Sequence, residues 1–142
     1  MIKFKLATPE RVLLDTEVES LTLPTQMGEI TILQNHIPLV ANLQPGEIRY
    51  RTAKGQEFFA VSGGVIEVKK NHEVVVLADT AEAGHEIDLK RAEEARDAAK
   101  KLMTEKPTDQ AAIDAAAEFG KNLVRIKVAH KHRTHKSPHV ES

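Results

Sequence analysis

The chain has 142 residues, with 20 Lys and Arg against 21 Asp and Glu, so no global field draws it to nucleic acid or to an anionic membrane. It has no cysteine, which excludes disulfides, thiolate nucleophiles and cysteine-based zinc sites and fits a reducing compartment. One tyrosine and no tryptophan leave little for base-stacking platforms.

In chain order, Ile2, Phe4 and Leu6 alternate with Lys3 and Lys5, the period of a strand with one wet face and not the apolar block of a signal peptide. Thr8-Pro9 breaks the run. Val12-Leu14 and Val18-Leu23 follow, the second closed by Pro24, then Ile30-Leu33 and Leu39-Leu43. Pro45-Gly46 reads as the centre of a type II turn. Ile48-Thr52 and Glu57-Val61 flank Ala53-Lys54-Gly55-Gln56, and Val65-Lys69 and Glu73-Ala78 flank Lys70-Asn71-His72, two hairpins. Turn signals every 8–12 residues without a helical period predict an all-β sandwich or barrel, and two facing sheets would give these strands a place to bury their apolar faces. Its core is expected to hold Phe4, Leu14, Leu23, Ile32, Leu39, Ile48, Phe59, Val61, Ile66, Val68, Val75 and Leu77. The longest apolar run, Val74 to Ala78, is too short to cross a bilayer, so a soluble protein is expected, reaching a membrane only through a partner.

Composition changes near Ala83-Gly84-His85. Residues 1–84 carry 8 basic and 11 acidic side chains, and residues 85–142 carry 12 and 10. From Asp88, a candidate N-cap, Leu89, Ala92, Ala95, Ala99, Leu102 and Met103 recur at helical steps. Pro107 ends this helix, and Thr108 or Asp109 caps another with the stripe Ala112, Ile113, Ala116, Phe119, Gly120, Leu123, Val124 and Val128. The expected class is therefore α+β: an antiparallel β-sandwich of about ten strands over residues 1–84, an antiparallel two-helix hairpin over 85–129, and a disordered basic tail over 130–142 with four of the seven histidines. An alanine seam buries about one methyl per residue, near 0.8 kcal/mol each, and Gly120 takes away about another 1 kcal/mol relative to alanine. Such a hairpin is weakly held.

No catalytic constellation is defensible. Ser62-Gly63-Gly64 lacks the Lys-Ser/Thr and helix start of a phosphate loop and reads as a turn between strands. His130, His132, His135 and His139 have zinc-ligand character, but a flexible tail lacks the groups that fix metal ligands, so no metal site is expected. Lys121, Arg125, Lys127, Lys131 and Arg133 make a basic end on the second helix that is either a docking surface or a solvated face. Asp88 and Arg91 can simply pair three residues apart.

Three segments resemble the epsilon subunit of F-type ATP synthases of the bacterial and chloroplast type: Gly28-Glu29-Ile30-Thr31-Ile32-Leu33-Gln34-Asn35-His36-Ile37-Pro38-Leu39-Val40, then Phe59-Ala60-Val61-Ser62-Gly63-Gly64-Val65-Ile66-Glu67-Val68, then Val75 to Ala81 leading into Ile87-Asp88-Leu89-Lys90-Arg91-Ala92. Gln34-Asn35 departs from the family's Pro-Gly, and the histidine-rich tail is atypical. The resemblance implies a non-catalytic rotor subunit on the cytoplasmic face of the membrane. It would join the gamma subunit to the c-ring and inhibit ATP hydrolysis when its helices reach the alpha/beta head. It also implies that Glu29 faces the c-ring and His36 lies near gamma. Glu82, Ile87, Asp88, Arg91, Ala92, Lys121 and Arg125 match positions of a regulatory ATP site, with Ala98 where binding members have arginine, so ATP would bind weakly and no cofactor is required. The alternatives are a stand-alone sandwich module whose helices dimerise, and a metal carrier using the tail.

Overall fold

The computed structural model describes residues 1–105 and 108–136, and the chain divides into two compact units, Met1–Ala83 and a second that starts at Gly84. The first holds ten strands: β1 (Ile2–Ala7), β2 (Val12–Val18), β3 (Ser20–Thr25), β4 (Gly28–Ile32), β5 (Leu39–Leu43), β6 (Gly46–Thr52), β7 (Gly55–Val61), β8 (Gly64–Val68), β9 (Glu73–Ala78) and β10 (Ala81–Ala83). They pair in the order β10-β7-β6-β3-β5-β8-β9-β1-β2, with β4 attached to β3. β2 returns against β6, so the strip curls over a single core. Every pairing is antiparallel except β1 with β9, which is parallel. Side-chain alternation gives a strand's faces but not its direction, so that exception leaves no mark on the sequence.

The core forms where alternation meets close packing. Ile2, Phe4 and Leu6 of β1 are fully buried with Leu21 and Leu23 of β3, Ile48 of β6 and Ile66 of β8. The phase of β9 differs from expectation. Val74 and Val76 are buried, whereas Val75 is half-buried and Leu77 is 56% exposed. Only Glu73, at the first position of the strand, marks the outer face, in phase with Val75 and Leu77. Registry agrees with it, because Val76 lies beside Ile66 on one side and Leu6 on the other. Leu14 and Leu39, also expected in the core, are half-buried at its margin.

Three turn readings are corrected. Val18 closes β2 instead of opening the next strand, and β3 runs through Pro24 to Thr25, with the Pro24 carbonyl accepting from the Gln44 amide at 2.9 Å. Pro45-Gly46 is not a type II turn, because Gly46 lies outside the left-handed region and begins β6. What Gly46 supplies is room: a Cβ there would stand 3.2 Å from Pro24 Cβ and Cγ. At Gly63 and Gly64 the positive φ expected of the turn is present, 128° and 146°, and a Cβ on Gly64 would fall 2.0 Å from the Leu77 carbonyl oxygen.

The second unit opens with a 3₁₀ turn, Gly84–Glu86, followed by α1 (Leu89–Thr104) and α2 (Asp109–Lys136), which pack on each other as a hairpin. Asp88 is the N-cap of α1, its carboxylate accepting from the Arg91 amide at 3.1 Å, and Thr108 Oγ1 accepts from the Ala111 amide at the start of α2. Buried positions are Ala92 and Ala99 on α1 and Ala115, Asn122, Val128 and Ala129 on α2. The expected α2 stripe is thus rotated: Ile113, Ala116, Gly120 and Leu123 are exposed. On α1, Leu102 and Met103 are exposed as well. Residues 112, 115, 119, 122, 126 and 129 step by three and four and supply the inner face, but a polar residue, Asn122, sits in the middle of that series and hides it. Its amide is satisfied, donating to the Glu118 carbonyl and accepting from Arg125 Nη1, each at 2.8 Å.

Residues 130–136, expected to be disordered, continue α2. Nothing between Ala129 and Lys136 breaks a helix, and the first proline after them is Pro138. The rest of the expected tail, 137–142, lies outside the described residues.

Candidate functional site

Two features of the first unit and one of the second are built from residues with chemistry. On the outer face of the sheet, Arg49 of β6 reaches across β3 to Glu29 of β4. The register explains the reach, since Thr22 of β3 stands beside Arg49 and Pro24 beside Glu29. The guanidinium meets the Glu29 carboxylate through both nitrogens, Nη1 to Oε2 at 3.0 Å and Nη2 to Oε1 at 3.2 Å. Nη1 also donates to Glu47 Oε1 at 3.0 Å. Glu47 is buried and Glu29 half exposed, so Arg49 neutralises a hidden carboxylate while holding an accessible one. Hydrogen bonding to Glu29, against a smaller desolvation and with help from Glu47, raises the Arg49 guanidinium above its ordinary value. Sequence reasoning singled out Glu29 and missed Arg49 and Glu47; their i,i+2 spacing on one strand face was the available signal.

His36 stands in the loop between β4 and β5, its Nδ1 bonded to the Ile37 carbonyl at 2.7 Å. The loop lines a hollow with Thr31, Leu33, Gln34 and Asn35.

In the helical unit, Arg91, Glu94 and Ala95 of α1 and Arg125 of α2 line one groove of about 490 Å³, within the range of roughly 300–1,000 Å³ for ligand sites. Seven positions were expected to gather around ATP. Arg91 and Arg125 share this groove; Asp88 is spent on the helix cap; Lys121 is exposed and outside the lining; Ile87 and Ala92 are buried. Ala92, at 0% exposure, offers no wall to an adenine. Glu82 is on β10 in the other unit, half-buried. The pairing of Asp88 with Arg91 is to the backbone amide and leaves the guanidinium available to the groove. Two arginines suit phosphate oxygens, but Arg125 Nη1 already donates to Asn122 Oδ1, and Glu94 in the same lining opposes an anion. Further along, the 3₁₀ turn packs on α2, with the rings of His85 and His132 5.9 Å apart and a Cβ on Gly84 falling 3.0 Å from His132 Cβ.

A curled β-sandwich unit with ion pairs on its outer face, followed in the chain by a two-helix hairpin unit with an arginine-lined groove, is the two-part class of protein that the fold and site define. The chain belongs to the ATP synthase delta/epsilon chain family: residues 1–84 match its β-sandwich domain and residues 85–130 its long α-helix domain. It is 38% identical over 135 residues to an ATP synthase epsilon chain of Dehalococcoides mccartyi, covering 94% of this chain and 96% of that one. With the epsilon chain of Chloroflexus aggregans it shares 39% over 132 residues, 93% and 94% of the two chains, and with that of Priestia megaterium 42% over 108 residues, 76% and 80%. A chain in the cryo-EM structure of Euglena gracilis mitochondrial ATP synthase, OSCP/F1/c-ring, has the same fold at TM-score 0.75 and 23% identity, over 94% of this chain and 81% of that one. This is a non-catalytic ATP synthase subunit. No helix among the described residues is long and apolar enough to cross a membrane.

Proposed function

We propose that the chain is a rotor subunit whose sandwich joins the gamma subunit to the c-ring at the cytoplasmic face of the membrane, and whose helices restrain ATP hydrolysis when they extend toward the alpha/beta head. One observation carries this reading: a sandwich with a complete core of its own is followed by helices that meet largely through alanines. A rigid body transmits torque, and an element held by a few methyl groups moves at small free-energy difference between two docking places. Glu29, fixed by Arg49 yet half exposed, is the ring-facing group, and His36 the gamma-facing one. Deleting residues 85–142 in the assembled synthase should leave assembly intact and raise ATP hydrolysis severalfold, measured on the purified complex. Unchanged hydrolysis would remove the inhibitory role. Loss of capture by gamma, with self-association in light scattering, would instead support a stand-alone dimerising module.

The groove between Arg91 and Arg125 supports a second, regulatory element: it takes the phosphates of ATP, with the adenine left outside because Ala92 is closed off. Bound at tenfold over its dissociation constant, ATP would stabilise the hairpin by about 1.4 kcal/mol, a bias and not a lock. Replacing both arginines with alanine should abolish any ATP-induced rise in melting temperature of the full chain; a persisting rise would put the nucleotide elsewhere.

A further inference from the structure

The loop 33–38 between β4 and β5 carries two large apolar side chains in solvent, Leu33 at 59% and Ile37 at 74% exposure. It is nonetheless tied down. The His36 amide donates to the Leu33 carbonyl at 3.0 Å, and from 38 positions away His72 Nδ1 bonds to the Gln34 carbonyl. His72 itself is unusual: at φ 63° it is the one non-glycine residue among the described residues in the left-handed region. That conformation is roughly 1 kcal/mol unfavourable for a residue with a Cβ, and glycine would adopt it without strain. A glycine would lack the ring. The hairpin does not need the ring either, since Lys69 and Glu73 close it through a backbone bond at 2.8 Å and an ion pair at 3.8 Å, and the His72 carbonyl accepts from the Lys3 amide at 2.9 Å. Strain is kept at a position where only the side chain explains it, and that side chain reaches another loop.

We infer that His72 is a positioning residue: it pins loop 33–38 so that Leu33 and Ile37 are held in a fixed arrangement for a partner that presents apolar side chains. This rests on the reading that His36 and its loop face gamma. Ordering the loop in advance removes an entropy loss from association, which is what exposed apolar groups on a short loop would otherwise suffer.

Amide hydrogen exchange on the full chain, paired with capture by isolated gamma, tests both halves. His72→Gly keeps the backbone conformation and deletes the ring. The His36 amide should then exchange about tenfold faster, the change expected when one hydrogen bond is lost, while the Lys69 amide is unmoved. His72→Asn, which tolerates the left-handed region and retains a donor, should restore part of the protection. Affinity for gamma should fall about tenfold in the glycine variant and recover with asparagine. Unaltered exchange at His36 would overturn the strut. A loosened loop with undiminished gamma binding would overturn its role in presentation. Failure of the unaltered chain to bind gamma would strike the partner reading alone, because the exchange measurement needs no partner.

Discussion

Tyr50 shows how one polar atom in an aliphatic core couples folding to pH. Its ring lies 5.7 Å from Phe4 and 6.1 Å from Phe59, centroid to centroid, and only 8% of the residue is exposed. Burial first, and then the charge of its strand neighbour Glu57, pushes the phenol up to about 12. The folded state therefore keeps its proton at pH values where the unfolded chain, titrating near 10, gives it up. Stability from this group is complete below pH 10 and is lost as pH rises from about 10 to about 12, with a ceiling of roughly 3 kcal/mol. Because this is the only tyrosine, phenolate absorbance reads it directly. Tyr50→Phe should remove the slope from an alkaline unfolding series, and an identical slope would show that another group carries it. At the same scale, Arg49 answers to one partner, Glu29, that a linear reading separates from it by twenty residues, and to another, Glu47, two residues away. Glu29 was visible as a motif residue; the spacing of Glu47 and Arg49 hinted at a pair on one strand face, but that the guanidinium reaches Glu29 follows only from the strand register.

Among the elements, α2 carries two apolar stripes, and only one is used within the hairpin. Ile113, Ala116, Gly120 and Leu123 have the spacing of a buried face and lie in solvent, whereas the face that packs is interrupted by Asn122. Binary pattern alone selects the cleaner stripe, which is why the sequence misleads here. In contrast, β9 has one polar residue, Glu73 at its first position, in phase with the outward Val75 and Leu77, and its registry with β1 and β8 fixes the same phase. Where alternation was sharp, as in β1 and β8, the inward residues were legible without coordinates. Gly120 has open space where a Cβ would stand and does not adopt positive φ. Gly120→Ala should thus stabilise the helical unit by about 1 kcal/mol, measured as a rise in the helical melting transition by circular dichroism. A fall would mean that the glycine meets a close neighbour in solution.

For the molecule as a whole, the architecture and the family were legible because three short segments and a composition change occurred in the right order, although none is specific by itself. The groove was only partly legible. Positions that match a motif arrive on different elements, and here the cap claims Asp88 and burial claims Ala92, so of the seven only Arg91 and Arg125 line one groove, with Arg125 also donating to Asn122. The core of the first unit is drawn entirely from residues between Ile2 and Ala83. On its own, the segment 1–84 should fold and melt in one cooperative transition; a broad or absent transition would show that it depends on the helices.

The parallel seating of β1 beside β9 has a consequence for biosynthesis. A growing chain can close the β1–β2 and β6–β7 hairpins as soon as they emerge, but the slot between β2 and β9 exists only once Ala78 has left the ribosome. Phe4 and Leu6, made among the first residues, must wait with one flank open for nearly the whole translation of the sandwich, a non-local closure that slows folding and leaves an apolar edge for chaperones to guard.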